Sequence, residues 1–224
     1  GLTVPEMTQA LAGAGILSPD MAAAGYSKIM GNQIKEGIPW AVFTGLTAVR
    51  LARAGLTGPL DILDHPDFFD SRRLTSGLGE SWAIERTYFK PYACCRWIHS
   101  ALDALAGLMT DENIPPDKIT NMKVFTFERA LRLSNEIDPR TVEGAQYSLP
   151  FCLAAAALKG TGVLTPLDQG VLGRREIVDL AGRIELAVDP ELDGLFPRKA
   201  AARIVVESNA GTFSRAVVTP LGDP

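Results

Sequence analysis

Histidine is scarce in this chain: only His65 and His99 occur among 224 residues. Cysteine is also sparse, with Cys94, Cys95 and Cys152 giving an odd total and no C-x-x-C spacing. Neither a disulfide framework nor a zinc site is indicated by such a set, and a reducing, cytoplasmic location is expected. No G-x-G-x-x-G or phosphate loop precedes a helical pattern, so nucleotide cofactors are not expected. With no ligand spacing for a metal either, the expected chemistry needs no cofactor. A basic surplus is missing: Lys plus Arg is 22 against 26 Asp plus Glu, a net charge of −4. Phosphate backbones require a basic stripe, so nucleic acid is not an expected partner. The uncharged stretches around Ile38 to Val49 and Gly144 to Leu158 fall short of the roughly 18 to 20 apolar residues that a membrane span needs. The N-terminal Gly1-Leu2-Thr3-Val4-Pro5-Glu6 has no signal-peptide pattern and reads as a start in mid-chain.

What is present is a hydrophobic fraction of 46% with 21% charged residues, the profile of a soluble globular protein with room for one large domain or two small ones. Up to Gly58 the pattern is helical. Pro5-Glu6-Met7 opens one helix and Ser18-Pro19-Asp20 a second, with an N-cap residue before proline. A third starts at Pro39, carries Val42, Leu46 and Val49, and stops at Gly55 with Arg50 and Arg53 in its last turns. Asp61 to Asp64 reads as one more helical turn, and Asp70 to Glu80 as a polar connector and natural boundary. Residues 1–80 are therefore assigned to a helical piece and residues 81–224 to an α+β lobe. In the lobe, strands are expected at Trp82 to Phe89, Ile119 to Phe127 and Ile184 to Val188. A hairpin is expected where Ala202 to Glu207 and Thr212 to Thr219 flank Ser208-Asn209-Ala210-Gly211. Helices are expected at Trp97 to Met109, Gln146 to Lys159 and Arg174 to Ala181.

The segment from Tyr88-Phe89-Lys90-Pro91-Tyr92-Ala93-Cys94-Cys95-Arg96-Trp97-Ile98-His99 through Ala104 resembles the lysine-proline-tyrosine and histidine-containing segment of the MmgE/PrpD family. Three further segments agree in order. Lys35-Glu36-Gly37-Ile38-Pro39-Trp40-Ala41 leading to Gly55-Leu56-Thr57-Gly58-Pro59 is similar to that family's helix-and-loop element. Gln146-Tyr147-Ser148-Leu149-Pro150-Phe151 resembles its later helix start, and Leu221-Gly222-Asp223-Pro224 the exit from its small lobe. The resemblance implies a large helical domain with a smaller α+β lid domain, of which this chain corresponds to roughly the second half. It also implies a homodimer and a proton taken from, or returned to, a carbon beside a carboxylate. The family includes 2-methylcitrate dehydratases, cis-aconitate decarboxylases and an iminodisuccinate epimerase.

A site for di- or tricarboxylates must hold anions and supply an acid and a base, so the cations are considered first. The resemblance puts the family's active-site lysine at Lys90, where flanking Phe89, Pro91 and Tyr92 would allow partial burial and a lowered pKa. Lys35, just ahead of the helix at Pro39, either meets a substrate carboxylate at that helix start or is an ordinary solvated lysine beside Glu36, with Lys28 a competing choice. His99 shares a helix face with Asp103, which makes it either an acid–base group or half of a structural pair. Arg96 can clamp a carboxylate in bidentate fashion or brace the lid. The adjacent Cys94 and Cys95 read as buried packing, with a modifiable thiolate beside Arg96 as the alternative. By the resemblance, decarboxylating relatives carry a functional tyrosine where this chain has Phe151; Tyr147, one helical turn earlier, either substitutes or packs in the core. Lys90, Lys35 and His99 are thus the catalytic candidates, and Arg96 and Tyr147 the substrate-binding ones. The expected activity is a dehydratase-type lyase; an epimerase or isomerase on the same fold, or a non-catalytic assembly subunit, are the alternatives.

Overall fold

The computed structural model of the chain describes residues 1–17 and 37–224. The helix expected from Ser18-Pro19-Asp20, together with Lys28 and Lys35, lies outside the described residues. The chain divides into two compact units, one containing the described residues up to Arg86, the other Thr87–Pro224.

In the first unit, α1 (Val4–Leu17) begins at a capping box. The Thr3 backbone N–H donates to the Glu6 carboxylate at 2.7 Å, and the Glu6 N–H donates back to the Thr3 hydroxyl at 3.4 Å. These bonds to Thr3, backbone first, hold the Glu6 carboxyl below its ordinary range. Helix α2 (Ile38–Arg53) starts with Pro39 in its first turn and ends with Arg50 and Arg53, as the pattern predicts. The two helices meet through small side chains: Ala10, Ala12 and Ala48 are buried, and a Cβ placed on Gly13 would touch the Ala48 methyl at 3.7 Å. The polar stretch expected to be a plain connector contains a short helix, α3 (Ser71–Thr75), because the Asp70 carboxylate caps it by accepting from the Arg73 N–H at 3.1 Å.

The second unit is α+β. In chain order its elements are α4 (His99–Asp111), β1 (Ile119–Thr126), α5 (Glu128–Leu131), α6 (Val142–Gln146), α7 (Leu149–Lys159), α8 (Arg175–Ala181), β2 (Ile184–Val188), α9 (Pro190–Asp193), β3 (Ala202–Ser208) and β4 (Gly211–Val217). The sheet order is β2-β1-β3-β4. Strands β1 and β2 are parallel, so the chain between them must cross over, and it does so through helices α5 to α8. Strands β3 and β4 form the expected antiparallel hairpin, with Gly211 at φ +142 in its turn. Val124 pairs with Leu186 on one side and Ile204 on the other, so β1, like β3, is an interior strand.

Alternation along the strands sorts the two faces. Met122, Val124, Ile204 and Val206 are fully buried toward α4, which lies on β3 and β4, and α7, which packs beside α4. The opposite face carries charge: Lys123 pairs with Glu185 at 3.4 Å, and the Arg203 guanidinium sits 4.0 Å above the Phe125 ring while bonding Asp189 at 2.9 Å. At the sheet's end, Phe127 stacks on Phe196 at 4.4 Å and meets Trp97 edge-on at 5.8 Å.

Two expectations need correction. Trp82 to Phe89 is not a strand: Ala83–Arg86 is a 3-10 turn, and residues 81–90 are exposed throughout. Among the described residues no strand pairs with it. The helix expected from Gln146 to Lys159 is α7 with a later start, at Leu149, because the Ser148 hydroxyl caps that start by accepting from the Phe151 N–H at 3.2 Å, and Pro150 in that first turn has no N–H to bond back. Helix α7 is then buried on every side from Leu149 to Ala157.

Candidate active site

The segment between Thr87 and α4 is the part of the second unit that gathers the candidate side chains. It has no ladder of its own and is held by three separate backbone bonds. Phe89 N–H donates to the Gly222 carbonyl at 2.8 Å, Ala93 N–H to Leu164 at 2.7 Å, and Cys95 N–H to Gln146 at 2.8 Å. The Thr165 hydroxyl adds a bond to the Pro91 carbonyl at 2.8 Å. A loop pinned at several points presents its side chains in fixed directions without needing regular structure.

Lys90 lies on this loop and is exposed, so the partial burial expected of it is not found. Its charge still reaches inward, since it is among the groups that lower the pKa of Cys94. Arg96 is placed differently. Its side chain retains only 10% exposure, forms an ion pair with Asp223, and lies with its guanidinium carbon 4.8 Å from the centre of the Tyr88 ring. Nη1 of Arg96 is buried and has no hydrogen-bond partner among the described residues. A guanidinium already engaged with one carboxylate thus keeps donor capacity for a second.

His99 is the first residue of α4 and is fully buried. The helical spacing that aligned it with Asp103 does not produce a pair. Tyr92 sets its ring edge-on to the imidazole at 5.1 Å and donates its hydroxyl to Asp103 at 2.7 Å. The other Asp103 oxygen accepts from the Leu221 N–H at 2.6 Å. Burial first, then the bond to Asp103, pushes the Tyr92 phenol well above its ordinary range. His99 instead approaches the Cys94 carbonyl with Nε2 at 3.4 Å, and its Nδ1 has no partner among the described residues.

The C-terminal tail closes this arrangement through Leu221 on Asp103 and Asp223 on Arg96. It comes this near because residue 222 is glycine: φ is +88, and a Cβ there would fall 2.1 Å from the Phe89 carbonyl oxygen. Tyr147 caps the end of α6 beside Gln146 and is buried, its carbonyl accepting from the Asn135 N–H and the Ser134 hydroxyl at 3.2 Å each. Phe151 is wholly enclosed in α7. Lys90, Arg96 and His99 are therefore brought onto one loop and its following turn, Tyr147 lies next to the residue that anchors it, and Lys35 is outside the described residues.

The sequence reading missed Tyr92, Asp103 as its partner, and Asp223. Only the tail motif marked the neighbourhood of Asp223, since a lone carboxylate distant along the chain leaves no local pattern. Among the described residues no three His, Cys, Asp or Glu side chains gather in a metal-holding group, and no helix is long and apolar enough to cross a membrane. The family model of the MmgE/PrpD C-terminal domain matches residues 92–224, starting two residues after Lys90. No curated protein matches the chain.

Proposed function

Since the chain belongs to the MmgE/PrpD family through its C-terminal domain, we propose that it acts as a dehydratase-type lyase on a small di- or tricarboxylate such as 2-methylcitrate. The observation that carries this reading is Arg96: a buried guanidinium paired with one carboxylate and holding a further unpartnered donor. Such a group suits the planar fork of a carboxylate better than any neutral contact would. In the proposed reaction a base takes a proton from the carbon beside a substrate carboxylate, the electron pair forms a carbon–carbon double bond, and the hydroxyl on the next carbon leaves as water after taking a proton. Lys90, exposed on the loop, supplies a positive charge to the developing anion or the proton to the leaving group. Arg96 orients a carboxylate, and Tyr147 walls the site near the Gln146 anchor. His99 has no exposed surface, so its part is to hold the Cys94–Arg96 turn rather than to meet substrate. Lys35 is the second cation of this reading.

In the same proposal the helices of the first unit belong to a larger all-helical domain, the second unit is the lid, and the partner is a second copy. Exposed Ile38, Val42 and Leu46, spaced by four along α2, support an apolar contact face. A cytoplasmic setting goes with cysteines that form no disulfide at 94, 95 and 152.

The test is proton NMR of the protein with 2-methylcitrate and related acids in deuterium oxide. Formation of the unsaturated acid supports the reading, and Lys90→Ala should lower kcat by about 100-fold or more without loss of folding, because Lys90 is exposed. An unchanged rate in that variant removes Lys90 from the site. Deuterium entering a substrate that keeps its hydroxyl indicates epimerisation or isomerisation, and no exchange across the panel indicates an assembly subunit.

A further inference from the structure

The segment Leu221–Asp223 lies over Arg96 and is held there by polar contacts at three successive residues. The Leu221 N–H donates to the Asp103 carboxylate at 2.6 Å, the Gly222 carbonyl accepts from the Phe89 N–H at 2.8 Å, and the Asp223 carboxylate pairs with Nη2 of Arg96. Glycine at 222, with its positive φ and no Cβ, is what lets the segment lie against Phe89. Little apolar burial backs these contacts: Pro220 is buried, but Leu221 is 66% exposed. A segment held by a few hydrogen bonds, each of small net worth against water, opens more readily than one held by a core.

The closed arrangement also carries a cost at its centre. With Asp223 on one side and the Tyr88 ring 4.8 Å from the guanidinium carbon, the Arg96 side chain is nine-tenths buried, and its Nη1 is enclosed without a partner among the described residues. A charged donor kept from water with no acceptor is unfavourable, and lifting the segment relieves it. Lifting also frees Nη2. A carboxylate arriving then takes both guanidinium nitrogens in the two-pronged geometry that Arg96 cannot offer while Asp223 holds one of them. Both carboxylates at once would set two negative charges on one cation with little water to screen them.

We propose that Leu221–Asp223 is a strap that competes with the ligand for Arg96: a substrate carboxylate takes the guanidinium as Asp223 leaves it, and the strap closes again when the ligand departs. This rests on the reading of Arg96 as the carboxylate-binding residue and adds how that site is opened. Strap release reaches Lys90 as well, because Phe89 precedes it and the Phe89-to-Gly222 bond is one of the three backbone anchors of that loop.

The test is calorimetric binding of 2-methylcitrate to the chain, with amide hydrogen exchange on the same samples. Asp223→Asn keeps the shape of the side chain and drops its charge, whereas Gly222→Ala loosens the strap and leaves both charges in place. Each should bind the acid about tenfold or more tightly than the parent, whose open form is the minor one. In the parent, saturating 2-methylcitrate should speed exchange at the Leu221 and Phe89 amides and leave those of β1 unchanged. Arg96→Gln should abolish binding. If that variant binds as well as the parent, or no form of the chain binds the acid, the carboxylate reading of Arg96 fails and the strap fails with it. If binding needs Arg96 but the two strap variants bind no more tightly, or the two amides exchange no faster with the acid bound, the strap is overturned while Arg96 keeps its assignment. Exchange in the unaltered protein decides the matter even where a substitution impairs folding.

Discussion

The two units of the chain bury different kinds of side chain. Among the described residues of the first, the buried positions are Ala10, Ala12 and Ala48, while Trp40, Phe43 and Leu46 are each more than half exposed. The second encloses Phe127, Phe151, Met122 and a set of leucines and isoleucines with no exposure to speak of. Burying a methyl removes about 0.8 kcal/mol of apolar hydration cost, and burying a large side chain about 1.5 to 3. The second unit therefore has its own core, whereas the α1–α2 pair turns its large apolar groups outward. Candidate chemistry follows the same division. The loop around Lys90, Arg96 and His99 is pinned to the second unit by its bonds to Gly222, Leu164 and Gln146, and the apolar side chains of α2 are exposed.

The comparison breaks most sharply at Phe127. Truncation to alanine removes a ring stacked on Phe196 and edge-on to Trp97, with an expected loss of about 3 to 5 kcal/mol in urea unfolding; Trp40→Ala in α2 should change stability by well under that. Next is the pair of glycines at 222 and 45. Gly222→Ala puts a Cβ on the Phe89 carbonyl at a positive φ, with an expected cost of about 1 to 3 kcal/mol and proteolytic release of the tail. Gly45→Ala, inside α2 with open space at the Cβ position, should instead gain about 0.5 to 1 kcal/mol.

Between those two lies a pH effect confined to the second unit. The Cys94 thiol is held at about 6 in the folded chain against an ordinary value of 9.0. A lowered folded value means that the unfolded chain binds more protons between these limits, so stability rises with pH from about 6 to 9 and is lost on acidification through 6. Cys152 has the opposite sign: its raised value favours the folded chain below the ordinary 9.0, and that contribution falls away above it. The urea midpoint should therefore climb toward pH 9 in the native protein, and Cys94→Ser should flatten the climb. The smallest effect is expected for Val42→Ser, within about 0.5 kcal/mol of the parent in thermal unfolding. It should nonetheless weaken self-association in sedimentation if the α2 face is a contact between copies.

Much of the fold was legible because it rests on local rules. The helix opened by Pro5-Glu6-Met7, the helix from Pro39, the alternation of β1 and the Ser208–Gly211 turn each declare themselves within a few residues. Trp82 to Phe89 misled because alternation describes a strand without saying whether an edge is free to pair with it. The start of α7 falls later than its alanine-rich pattern suggests because the Ser148 cap, not composition, sets that end. At the site, Lys90, Arg96 and His99 stood out through their residue types and the family resemblance. The expected pairing of His99 with Asp103 followed helix spacing, which knows nothing of Tyr92 arriving from outside the helix.

The sequence by itself determined most of the element types, the family and the loop on which the candidate chemistry sits, since propensity, capping and motif are properties of neighbouring residues. Tertiary structure alone decided that Asp223 would meet Arg96 across 127 residues, that the Cys95 N–H would find the Gln146 carbonyl, and that β1 would lie between β2 and β3. Those outcomes depend on which buried surfaces fit together, and a fit between distant segments leaves no periodic trace in either one.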